Sequence, residues 1–152
     1  MIQVRVRKIR DCVQLPQYQS SQASGCDVLA HLDQNLVLEP LERMLIPTGL
    51  CLEIPAGFEV QIRPRSGLAF KQGLTILNAP GTIDSDYRGE IQILVINLGQ
   101  TAVTIHPGDR IAQMVLQRTE QMAWVDSIDL EETARGTGGF GSTGIHAPTA
   151  VP

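Results

Sequence analysis

Five short stretches of this 152-residue chain carry side chains that a packed core does not need. NAPGTIDSDYRGEI (78–91) gathers Asp84, Asp86, Tyr87, Arg88 and Glu90. RPRSGLA (63–69) sets Arg63, Arg65 and Ser66 together, and SGCDVLA (24–30) places Asp27 among apolar neighbours. GDRIAQMV (108–115) holds Arg110 and Gln113, and RGTGGFGSTG (135–144) holds Arg135 and Phe140 among glycines. These residue types suit one kind of chemistry. A carboxylate such as Asp84 can hold a water and take its proton. Arginines and a helix N-terminus at Ser66 can hold phosphate oxygens. Tyr87 can pack against a sugar, and an aromatic such as Phe140 can stack on a base. Each stretch also has a plainer reading: a solvated arginine beside an ordinary helix cap, or a turn rich in Asp and Gly for conformational reasons.

The glycine-rich tail admits a linker or an arm that closes over a flat, anionic ligand. It is not a dinucleotide fingerprint, although Gly136, Gly138 and Gly141 have the G-x-G-x-x-G spacing. That loop must follow a strand and open a helix, and here a Pro-containing tail without helical pattern follows. A Walker loop is excluded because no lysine follows the glycines. The acidic residues near Asp84 do not follow the calcium-loop pattern. Cys12, Cys26 and Cys51 read as free thiols, and His31, His106 and His146 lack metal-ligand spacing.

Alternation of apolar and polar residues predicts the elements that position these groups. IQVRVRKI, FEVQIR and EIQILVIN each read as a strand, as do AVTI and RIAQMVLQR on either side of a Pro107-Gly108 turn. EPLERMLIPTGLCLEIPAG reads as two strands broken at Pro47-Thr48-Gly49. The stretch from Asn78 to Ile91 reads as turns on a hairpin rim, whose open backbone groups could read a flat heterocycle. SGLAFKQG predicts one short helix with Ser66 as N-cap and Gly73 as its stop. DSIDLEETA is a weaker helical or turn-like stretch. Periodicity ends at Thr133, so residues 1–132 form an all-β domain and 133–152 an arm.

Composition bounds the rest. Hydrophobic residues make up 43% but aromatics only 4%, so the core must be mostly aliphatic. A net charge of −4 argues against nucleic-acid binding, so an anionic ligand needs a local cluster of cations. No signal-peptide pattern or membrane-length apolar run occurs, which points to a cytoplasmic protein.

Taken together and in this order, the five stretches resemble the motifs of the trimeric deoxyuridine triphosphatases, and the resemblance spans nearly the whole chain. It implies a jelly-roll-like β-barrel with an extended C-terminal arm, a homotrimer, and active sites shared between subunits. The implied reaction is hydrolysis of dUTP to dUMP and pyrophosphate, which keeps uracil out of DNA and supplies dUMP for thymidylate synthesis. Asp84 matches the aspartate that activates the water, and Tyr87 the tyrosine beneath deoxyribose that leaves no room for a 2′-hydroxyl. Asn78 and the main chain of Gly81, Thr82 and Ile83 would read uracil. Arg65, Ser66 and Gly67 would hold the phosphates, helped by Gln113. Arg135 would pair with the γ-phosphate, Phe140 would stack on uracil, and Gly138, Gly139, Gly141 and Ser142 would close on the phosphates. Asp27 would orient a water on a Mg²⁺ ion that the triphosphate coordinates. Arg110 is assigned to the subunit interface and Asp86 to a secondary role. Cys26 stands where the family often has Tyr, Leu or Ala.

Two rivals share the scaffold. A deoxycytidine triphosphate deaminase carries a second serine and a following arginine, RSSxAR, where this chain has RSGLAF, and it lacks the arm. A non-catalytic nucleotide sensor would not require Asp84, Tyr87, Arg135 and Phe140 together.

Overall fold

The computed structural model describes residues 2–142. Its strands are β1 (Arg5–Lys8), β2 (Cys26–Leu29), β3 (Leu36–Leu38), β4 (Arg43–Glu53) and β5 (Phe58–Arg63). A short helix, α1 (Ser66–Gln72), leads into β6 (Leu74–Ile76), β7 (Gly81–Ile83), β8 (Glu90–Asn97), β9 (Val103–Ile105) and β10 (Arg110–Arg118). They form two four-stranded sheets, β1-β4-β8-β6 and β2-β10-β5-β7, and a β3-β9 ribbon, with antiparallel pairing throughout. The described residues are thus mostly β with one helix, in open sheets rather than a hydrogen-bonded closed barrel. No described helix is long and apolar enough to cross a membrane.

The core follows from the alternation. Ile91, Ile93 and Val95 of β8 are fully buried while Gln92 between them is exposed, as the two-residue period of a strand requires. They pack with Val28, Leu38, Ile46, Leu50 and Ile105, an aliphatic set with no aromatic ring among the fully buried side chains. In β10 adjacent residues Ile111 and Ala112 are both buried. A register shift between Arg110 and Ala112 breaks the alternation there.

The expected break at Pro47-Thr48-Gly49 is instead a bulge within one 11-residue strand, β4. Proline cannot donate to the ladder, and Gly49 turns the chain at φ +71°. Side chains replace the missing bonds. Thr48 Oγ1 donates to Ile91 O at 2.7 Å and accepts from Leu50 N at 3.2 Å. Glu90 Oε1 accepts from Gly49 N at 2.8 Å.

Three other local expectations change. The stretch after Asn78 is not a hairpin, because β7 pairs with β5 while β8 joins the other sheet. Arg65, not Ser66, is the helix cap, and no side-chain cap bond forms; Gly73 does end the helix in the left-handed conformation. DSIDLEETA forms no helix. The compact sheet unit ends at Glu120, and residues from Gln121 form a separate unit.

Candidate active site

Three parallel observations fix the position of Asp27. Its backbone is paired on one side with Gln113 of β10, and on the other it exchanges two bonds with Gln17, at 2.9 and 3.2 Å. Its carboxylate is then taken from both sides: Arg65 Nε donates to Oδ1 at 3.2 Å and Arg110 Nη1 to Oδ2 at 3.1 Å. The side chain is only 10% exposed, so these cations offset the cost of burying its charge. A second Arg65 bond, from Nη1 to Arg110 O at 3.0 Å, holds the guanidinium in plane and leaves its other Nη group without a partner in this cluster. Arg110, given an interface role by the resemblance, also pairs with Asp27 of its own chain.

Gln113 belongs to the same cluster. Register places Asp27, Gln113 and Arg63 in one row across β2, β10 and β5. Gln113 Nε2 donates to Pro64 O at 3.1 Å. Its side chain lies over Gly25, where an added Cβ would stand 2.5 Å from Oε1. Ser66 and Gly67 are exposed in the first turn of α1, where N–H groups have no partner within the helix. Cys26, beside Asp27, donates to Met114 O at 3.6 Å. Burial pushes its thiol up, so it stays protonated at neutral pH and packs as a small apolar group.

The third stretch builds a different surface. Thr82, Ile83, Asp84 and Tyr87 line one cavity of about 270 Å³ with Leu45 and Gln92. Asp84 is exposed, and a turn from its carbonyl to Tyr87 N at 3.2 Å brings the tyrosine round to the same cavity. Tyr87 donates its hydroxyl to Glu90 O at 3.1 Å. Asn78 lies against Gly81, whose added Cβ would meet the amide nitrogen at 3.3 Å.

These two groups are kept apart by the sheet. Ile83 pairs with Val60, so Asp84 lies beside Glu59, whereas Arg65 lies just past the other end of β5. At the rise of a strand the backbones of Asp84 and Arg65 are on the order of 15–20 Å apart.

The arm is a separate unit with its own turns. Arg135 Nε donates to Gly138 O at 2.8 Å, and Ser142 N to Gly139 O at 3.0 Å. Phe140 is fully exposed, with φ +46°, and Gly141 follows at +87°. Thr143 and Gly144 of the fifth motif, His146 and the rest of the arm to 152 lie outside the described residues.

The dUTPase family matches residues 11–144, a span that contains all five stretches. The chain belongs to the dUTPase family. Relatives named deoxyuridine 5′-triphosphate nucleotidohydrolase include one from Desulfotalea psychrophila, 56% identical over 89% of this chain and 90% of its own length. Another, from Bdellovibrio bacteriovorus, is 56% identical over 93% of this chain and 95% of its own. Among solved structures, a mutant dUTPase of Staphylococcus bacteriophage 80alpha, solved with dUpNHpp, superposes with a TM-score of 0.85. That match has 24% identity and covers 94% of this chain and 99% of that one, so it speaks for the dUTPase fold. A dUTPase from phage phi11 of S. aureus, described with a structural Mg(II) ion, superposes at 0.76 with 22% identity, over 86% of this chain and 99% of that one.

Among the described residues no cluster of three or more His, Cys, Asp or Glu could hold a metal. The described residues therefore do not form an all-protein magnesium cage. A magnesium ion carried by a triphosphate does fit, because the ligands are then phosphates and water. Each Asp27 oxygen retains a lone pair beyond its arginine bond.

Proposed function

We propose that the chain hydrolyses dUTP to dUMP and pyrophosphate as a dUTPase, in the cytoplasm, with sites assembled from several copies of the chain in a homotrimer. The observation that carries this reading is the cavity shared by Thr82, Ile83, Asp84 and Tyr87, which combines an exposed carboxylate, a tyrosine and open main chain. Uracil is held by Asn78 and the main chain of Gly81 to Ile83. Tyr87 packs beneath the deoxyribose and excludes a 2′-hydroxyl. Asp84 accepts the proton of the water that attacks the α-phosphorus.

The phosphates lie on the other cluster. Arg65, held by Asp27 and Arg110 O, presents its remaining donors without having to search for them. Ser66, Gly67 and Gln113 add donors, and Asp27 also accepts from a magnesium-bound water. The ion, when it arrives with the triphosphate, neutralises phosphate charge. The separation of Asp84 from Arg65 within one chain supports a site in which they come from different copies. An arm then closes over the nucleotide: Phe140 stacks on uracil, Arg135 exchanges its bond to Gly138 O for the γ-phosphate, and Gly138, Gly139, Gly141 and Ser142 follow. These parts take residues 1–132 as the sheet domain and 133–152 as the arm of a jelly-roll trimer.

Incubation with dUTP and with dCTP, assayed for pyrophosphate and for ammonia, tests the reading. Pyrophosphate from dUTP alone is expected. Ammonia from dCTP would identify a deaminase, and no product from either a nucleotide-binding module.

A further inference from the structure

We propose that Gly89 sets the height of the Tyr87 ring and is thereby a specificity-determining residue for the 2′-deoxy sugar. This rests on the reading of Tyr87 given above. A Cβ built on Gly89 would collide with the Tyr87 hydroxyl and would stand 2.6 Å from Cζ and 3.0 Å from Cε2. The ring edge therefore lies directly on the Gly89 backbone. Backbone conformation does not demand glycine there, because Gly89 is not among the glycines with positive φ. The missing side chain is what the position uses.

The rest of the support is rigid. The Tyr87 hydroxyl donates to Glu90 O, and the Glu90 carboxylate accepts from Gly49 N on the β4 bulge. Thr48 holds the next carbonyl, that of Ile91. The carbonyl that takes the hydroxyl thus cannot follow a displaced ring. A methyl group at position 89 breaks the hydroxyl bond and lifts the ring off the backbone, into the cavity it shares with Asp84. The space beneath the deoxyribose is lost, and dUTP suffers more than UTP, which the parent already excludes.

The test measures kcat/KM for dUTP and UTP in the parent, Gly89→Ala, Tyr87→Ala and the double variant. Gly89→Ala should lower kcat/KM for dUTP by roughly tenfold, mostly through KM, and narrow the dUTP/UTP ratio. In the Tyr87→Ala background the same change should alter that ratio by less than about twofold, because no ring remains to be lifted. Ratios taken on one preparation do not depend on its folded fraction, so partial misfolding does not mimic the effect. An unchanged dUTP/UTP ratio in Gly89→Ala overturns the proposal, as does an equal change of that ratio with and without the ring. A Tyr87→Ala enzyme with the parental ratio overturns instead the sugar role of Tyr87 on which the proposal rests.

Discussion

At the scale of single residues, Asp84 and Asp27 divide the two jobs a carboxylate can do. Asp84 is exposed in a cavity, free to meet a water, while Asp27 is buried and held by two arginines. Asp84→Asn keeps the shape but cannot accept a proton. It should bind a non-hydrolysable dUTP analogue as the parent does and lose roughly 10²–10⁴-fold in kcat for dUTP. Equal kcat values in a steady-state comparison would move the base elsewhere. The residue types and their order were readable in the chain, because carboxylates, arginines and glycines in such sets have no use in a core. The pairing of Arg110 with Asp27 was not read from it. The available signal was Asp27 itself, since a carboxylate in an apolar strand requires a counter-charge. The role of Gly25 was hidden for a different reason. Its use is the space it leaves for Gln113 across the sheet, which no local pattern records.

Among the elements, the strands that alternate cleanly were legible, and those that bend were not. FEVQIR and EIQILVIN appear as β5 and β8 where the period places them. The Pro-Thr-Gly in β4 carries a turn's residue types, yet the strand continues because partners from β8 take over the bonds that proline and the bulge release. That compensation is tertiary, and so it is invisible locally. The crossing from β7 to β8 was misread as a hairpin for the same reason: the turn was visible but not which sheet each strand joins. Thr48 tests this account of the bulge. Thr48→Val preserves shape but leaves Ile91 O and Leu50 N without their buried partner. It should cost about 1–3 kcal/mol, read as a lower urea midpoint at fixed protein concentration. An unchanged midpoint would mean that the bulge holds without the hydroxyl.

At the scale of the whole molecule, the proposed site draws on more than one copy of the chain, because Asp84 and Arg65 lie beyond opposite ends of β5. The sheet unit ends at Glu120 and β10 at Arg118, so a chain stopped after Glu132 retains every strand of the described residues. It should fold and assemble as the parent does in sedimentation, yet turn over dUTP far more slowly, because Arg135 and Phe140 are gone. Full activity would make the glycine-rich segment a plain linker. The register of β5 and β7 gives a sharper test. If Asp84 of one copy faces Arg65 of another, two inactive variants can repair each other. Asp84→Asn chains supply a sound Arg65, and Arg65→Ala chains supply a sound Asp84. Mixed in equal amounts under conditions of subunit exchange, they form some interfaces that carry both intact groups. For random assembly into a symmetric ring, roughly a quarter of the sites should be intact, and dUTP turnover should recover to about that fraction of the parent's. Were both groups supplied by one chain, every site in the mixture would lack one of them. Activity would then stay at the level of the separate variants however long exchange proceeds, and the 15–20 Å estimated between the two backbones would have to be closed by a rearrangement within the chain.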